Sequence, residues 1–282
     1  MSFTTLVSAA ELQGLIAAGS ALVILDASFD LADVSAGERS YREGHLPGAR
    51  YVHLDRDLSA PKTGHNGRHP LPPRDVFAAT AGRLGISPST QVVVYDRQAS
   101  MFAVRAWWML RWLGHDAVAV LDGGLPAWQS AGGGLATASE TAAELAPYPP
   151  RTPLVSSVNT ETVQQRIGLA RLIDARAPER FRGEIETIDA QAGHIPGARN
   201  RFFKDNLLPD GRFKPAEQLR AEFETQLAVS DPSQVVHQCG SGVTSCHNVL
   251  AMEIAGLTGS ALYPGSWSEW SSDPARPVAA GA

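Results

Sequence analysis

Apolar residues fall in short β-rich runs along this chain, and stretches with helical spacing separate those runs. The runs are "ALVILD" (21–26), "QVVVY" (91–95) and "AVAVL" (117–121), then "ARLID" (170–174), "QVVHQ" (234–238) and "ALY" (261–263). Helical patterns cover 99–113, 215–227 and 243–256, and "AWWMLRWLG" at 106–114 reads as a packed amphipathic helix. Strands alternating with helices predict an α/β fold of parallel βαβ units, each sheet covered by helices on both faces. Right-handed crossovers place the loops after the strands along one edge of the sheet, where ligands of such folds bind. Asp96 and Cys239 both fall on that edge.

The pattern occurs twice. "GHLPGAR" at 44–50 returns as "GHIPGAR" at 193–199, and "VILDAS" ending near Asp26 is matched by "RLIDAR" around Asp174. "QVVVYD" at 91–96 matches "QVVHQC" at 234–239, and "LDGGLPAW" at 121–128 parallels "YPGSWSEW" at 263–270. Matched blocks in the same order predict a duplication into tandem domains. The expected boundaries are a first domain over 1–135, an exposed Gly, Ala, Thr and Pro-rich linker over 136–155 and a second domain over 156–282.

Composition narrows the class. The 282 residues are 44% hydrophobic and 19% charged with a formal net charge of −5, values of an ordinary globular protein. No basic run points to nucleic acid, and no apolar run is long enough to span a bilayer. The first twenty residues lack the pattern of a signal peptide. Two cysteines fit a reducing compartment, so a cytoplasmic location is expected. No phosphate loop, dinucleotide fingerprint or ligand cluster calls for a cofactor or metal. The two histidines of "HNGRHPLPP" (65–73) lack a Cys or acidic partner, and the segment reads as a surface loop.

The chemistry centres on "VVHQCGSGVTSCHNV" (235–249). Most lone cysteines are small core residues. Cys239, however, follows a strand and precedes a helix, where free N–H groups and the helix dipole favour a thiolate. Gly240, Ser241 and Gly242 allow a tight loop to turn its amides inward as an anion nest. The matching position in the first copy is Asp96, so only one copy carries a thiol there. Cys246, on the following helix among apolar residues, reads as core. A cysteine phosphatase would need Arg at position 245 in its C-x5-R loop, and this chain has Ser245. A non-catalytic relay module is disfavoured by the retained cysteine and its glycine loop.

"CGSGVTSCH", with "GHIPGAR", "ERFRG" and "YPGSWSEW", resembles the two-domain rhodanese family of sulfurtransferases, and "CGSGVT" is similar to the loop of its 3-mercaptopyruvate branch. The resemblance implies a persulfide cycle in which Cys239 takes sulfur from a small-molecule donor and passes it to a thiol such as thioredoxin or a small thiol. Gly240, Gly242, Val243 and Thr244 would line the substrate. Thiosulfate-preferring members place Arg and Lys where this chain has Gly240 and Ser241, so mercaptopyruvate is favoured, with thiosulfate or broad specificity as the alternative. In that branch a serine, a histidine and an acid move protons, roles that fall to Ser241, His45 and Asp33. His194, in the second copy of the His45 motif, is assigned a structural role. Two arginines of the branch hold the substrate carboxylate. Arg180 matches the first, whereas Asp189 stands where the second is expected, which leaves Arg182 as the candidate to neutralise it.

Overall fold

Each half of the chain builds its own five-stranded parallel sheet. The computed structural model describes residues 2–137, 145–169, 171–227 and 231–281. The first sheet contains β1 (Leu6–Val7), β2 (Leu22–Asp26), β3 (Ala49–Tyr51), β4 (Gln91–Tyr95) and β5 (Val118–Leu121), in the order β1-β5-β4-β2-β3. The second contains β6 (Ser156–Ser157), β7 (Arg171–Asp174), β8 (Arg199–Asn200), β9 (Val235–Gln238) and β10 (Ala261–Leu262), in the equivalent order β6-β10-β9-β7-β8. Every pairing is parallel.

Burial explains why the central strands read as unbroken apolar runs. Val92, Val93, Val94 and Tyr95 are all fully buried because helices cover both faces of β4. One core gathers Leu12, Ile24, Val93, Tyr95 and Trp128; the other gathers Val236, Tyr263, Trp267 and Trp270. Trp107 and Trp108 are fully buried in the helix Ala103–Trp112. Among the described residues no helix is long and apolar enough to cross a membrane.

The chain divides into two compact units, though not by a single cut. Unit 1 is Met1–Ser59, Pro72–Leu154 and Pro209–Arg212; unit 2 is Ala60–Leu71, Val155–Leu208 and Phe213–Ala282. A short piece of each half therefore belongs to the other half's unit. Part of the expected linker, 138–144, lies outside the described residues. Its later part is not a free tether: Tyr148 is buried, its N–H donates to Ala78 O at 2.9 Å, and Arg151 N–H donates to Leu113 O at 2.8 Å.

Within each unit the repeated His loop clasps the unit's own trailing strand. His45 and Ala136 exchange backbone hydrogen bonds of 2.9 and 2.8 Å, and His194 and Ala279 exchange bonds of 2.8 and 2.9 Å. Both histidine rings are held alike. His45 stacks on Tyr41 at 3.9 Å with Nδ1 2.6 Å from Tyr41 O; His194 stacks on Phe181 at 3.9 Å with Nδ1 2.8 Å from Phe181 O.

Candidate active site

Cys239 ends the central strand β9 of unit 2 and opens the loop into the helix Ser245–Ile254. Backbone bonds fix that loop against the turn after β10: Trp267 N–H donates to Cys239 O at 2.9 Å and Ser268 N–H to Gly240 O at 2.8 Å. Ser266 holds the left-handed φ of 55°, accepts from Cys239 N–H at 3.1 Å and donates to Tyr263 O at 2.8 Å. Gly242, at φ 74°, is required twice over, since a β-carbon there would lie 2.1 Å from Pro264 O. The loop is thereby rigid before any ligand arrives.

The thiol is only 2% exposed. Burial pushes its pKa up, but hydrogen bonds from the Ser245 and Thr244 hydroxyls and the Ser241 and Ser245 N–H groups outweigh it and leave the thiol below its ordinary value. The Ser245 hydroxyl is buried and has no hydrogen-bond partner among the described residues, so its proton is free to turn to the sulfur. Val243 in the same loop is also buried. Cys246 is fully buried, with Sγ 3.4 Å from Gly242 O, and neither cysteine forms a disulfide.

Two side chains from the exchanged segment Ala60–Leu71 complete this end of unit 2. His69 Nδ1 lies 2.8 Å from Ser241 Oγ, both residues being buried. Arg68 pairs with Asp189 Oδ1, and its backbone N–H donates to Ser268 Oγ at 2.9 Å. The other Asp189 oxygen, Oδ2, accepts from Arg180 at 2.9 Å. Arg180 also pairs with Glu186 at 2.8 Å, and Glu186 lies 3.7 Å from Arg176, which holds Asp174 at 2.7 Å. Three arginines thus alternate with three carboxylates beside the loop. A β-carbon placed on Gly240 would lie 2.8 Å from Arg68 Nη2 and 3.5 Å from Arg180 Nη1.

The rhodanese-like domain family matches residues 8–131 and again 159–273. A Pseudomonas aeruginosa protein named "Probable 3-mercaptopyruvate sulfurtransferase" is 47% identical over 92% of this chain and 93% of its own length. The mouse "Thiosulfate sulfurtransferase" is 36% identical over 89% of this chain and 86% of its own length. The crystal structure of SseA from Escherichia coli, described among the 3-mercaptopyruvate sulfotransferases, superposes with a TM-score of 0.80 at 30% identity, covering 95% of this chain and 100% of SseA. The chain belongs to the rhodanese-like family. It is a two-domain sulfurtransferase, and the sheet order common to both units is the fold of its rhodanese-like domains.

On that rhodanese scaffold the expected relay is only partly assembled. Cys239, Ser241, Gly240, Gly242, Val243 and Thr244 lie together in one loop. The ring of His45 is fully buried in unit 1, stacked on Tyr41, with Nδ1 2.6 Å from Tyr41 O. Asp33 makes no hydrogen bond to it. That carboxylate is half-exposed and paired with Arg39, whose guanidinium holds it well below the usual carboxylate range, helped by Ser35. The histidine on Ser241 is His69, from the segment first read as a surface loop. Arg182 is not the cation that answers Asp189; it points to solvent and pairs with Glu184 at 2.7 Å. Arg68 and Arg180 fill that role from either side.

Asp96, the counterpart of Cys239, shows what the loop of the first copy does with its amides. Oδ1 accepts from the Gln98 and Ser100 N–H groups, each at 2.9 Å, and Oδ2 from Phe102 and Ala103 at 2.8 and 2.9 Å. The anion nest is intact, and a built-in carboxylate occupies it.

Proposed function

We propose that the physiological reaction moves sulfur from 3-mercaptopyruvate through a persulfide on Cys239 to a thiol acceptor, thioredoxin or a small thiol. The carrying observation is the 2.8 Å contact of Ser241 with His69, set in a loop that itself contains no cation. A thiosulfate donor leaves as sulfite and needs no proton at carbon, whereas mercaptopyruvate leaves as an enolate that does. A proton path beside the cysteine answers the second need. The alternating arginines and carboxylates also offer less net positive charge than a dianion favours.

The steps balance as follows. The Cys239 thiolate attacks the donor sulfur; an S–S bond forms and the donor C–S bond breaks, its electrons leaving as pyruvate enolate. The proton on the transferred sulfur passes through Ser241 and His69 to the enolate carbon, giving pyruvate and Cys239–S–S⁻. Thr244, Ser245 and the loop N–H groups stabilise the anion on the terminal sulfur as they do the thiolate. The acceptor thiolate then attacks that sulfur and restores Cys239. Arg180 holds the donor carboxylate by charge-assisted hydrogen bonds.

The test is a side-by-side kcat/KM for mercaptopyruvate and thiosulfate, with mass spectrometry of the peptide containing residue 239 after incubation without acceptor. Mercaptopyruvate should lead, and that peptide should gain one sulfur. Cys239→Ser should lose both signals and Cys246→Ser should keep most of them. Faster turnover of thiosulfate would overturn the donor while leaving the persulfide standing.

A further inference from the structure

Asp189 stands where a cation would suit a carboxylate substrate, yet its side chain is 3% exposed and both its oxygens are taken by arginines. It is therefore no repelling group at the surface of the site. It ties two guanidinium groups together, one from the second half of the sequence and one from the exchanged segment Ala60–Leu71.

What those guanidiniums leave unused indicates their purpose. Arg180 spends Nε and Nη2 on Glu186 and Asp189, and its Nη1 makes no hydrogen bond among the described residues. Arg68 spends Nη1 on Asp189, while its Nε is buried without a partner. Arg68 Nη2 and Arg180 Nη1 are the atoms nearest Gly240, at 2.8 and 3.5 Å from where its β-carbon would be. Two donors from two arginines thus meet beside the residue that follows the nucleophile. Guanidinium N–H groups that converge on one spot with no protein acceptor suit a carboxylate, which takes two such donors in charge-assisted hydrogen bonds.

We propose that Arg68 is the second carboxylate-binding cation of the site, and that Asp189 is a positioning residue that sets Arg68 and Arg180 side by side. The inference rests on mercaptopyruvate as donor and adds the residue that selects it. It also gives Gly240 a role: a β-carbon there would lie 2.8 Å from Arg68 Nη2 and push that donor aside.

The experiment compares mercaptopyruvate with mercaptoacetone, which keeps the ketone and thiol but has no carboxylate, in the full-length enzyme and in Arg68→Gln, Asp189→Asn and Asp189→Glu. Circular dichroism and the rate of Cys239 alkylation report that fold and loop survive. Loss of one charge-assisted contact should raise KM for mercaptopyruvate by about tenfold to a hundredfold in Arg68→Gln, with a much smaller change in kcat. The preference for mercaptopyruvate over mercaptoacetone should collapse by the same factor. Asp189→Asn should also raise KM, and Asp189→Glu should recover part of the loss. An unchanged preference in Arg68→Gln, or a lower KM in Asp189→Asn, overturns the inference while the donor stands. Failure of the unmodified enzyme to take sulfur from mercaptopyruvate would instead remove the donor, and this inference with it.

Discussion

At Cys239 burial and hydrogen bonding act on the thiol in opposite directions, and the hydrogen bonds prevail. A lowered pKa means that thiolate persists to lower pH than for an ordinary cysteine, so the sign of the pH dependence follows. Alkylation of the unmodified protein by iodoacetamide should rise with pH around a midpoint below the ordinary thiol value of about 8.5. Removing a donor should move that midpoint upward in Ser245→Ala and in Thr244→Val, and sulfur loading at neutral pH should slow as the thiolate fraction falls. A midpoint that stays put in both variants would mean that the N–H groups and helix dipole alone hold the anion. The position of Cys239 after a strand and before a helix was legible from sequence, and so was the glycine loop. Thr244 and Ser245 lie within the same loop, but the direction of their hydroxyls depends on the turn that Gly242 makes against Pro264.

At the scale of the element, repetition itself separates structure from chemistry. The His motif occurs in both copies because both units need the same clasp, ring stacked on an aromatic and backbone paired to the trailing strand. The family resemblance assigned the relay role to His45, whereas a repeated residue reports what both copies share. The groups proposed to react lie where the copies differ. Cys239 answers Asp96, and His69 follows the Gly67-Arg68 pair in one exchanged segment, whereas the other, Pro209–Arg212, ends at Gly211-Arg212. Gly67 and Gly211 take nearly the same φ, 81° and 83°. His69 was not legible because its partner lies 172 residues away and no periodicity marks the segment. His69→Gln should therefore lower kcat by about a hundredfold or more, as loss of positioned proton transfer does, with the melting temperature preserved. His45→Gln should do the reverse, costing about 1–3 kcal/mol of stability for the broken buried contacts. Paired thermal melts and turnover measurements distinguish the two, and equal kinetic loss from both variants would return His45 to the relay.

Across the whole molecule the same sheet order carries Cys239 at one strand end and Asp96 at the other. The Asp96 copy keeps more than the fold. Gly124 and Ser266 share a left-handed φ of 57° and 55°, and Leu125 N–H donates to Asp96 O as Trp267 N–H does to Cys239 O. Asp96 carries four N–H donors on its carboxylate, and burial pushes that group up while the four amides pull it down. What unit 1 lacks is the recognition apparatus. Ser40 precedes Tyr41 as Arg180 precedes Phe181, so the first carboxylate contact is missing, and the exchanged segment Pro209–Arg212 holds no histidine. An amide nest stabilises a persulfide once formed, but it neither holds the donor nor protonates its enolate. Asp96→Cys should accordingly add a thiol without adding a carrier. Incubated with excess mercaptopyruvate and no acceptor, the variant should gain one sulfur per chain, on the peptide containing residue 239, and Asp96→Cys combined with Cys239→Ser should gain none. Two sulfurs per chain would mean that the nest alone is sufficient for transfer, and that the silence of the first copy comes from the identity of residue 96 rather than from the absent arginines and histidine.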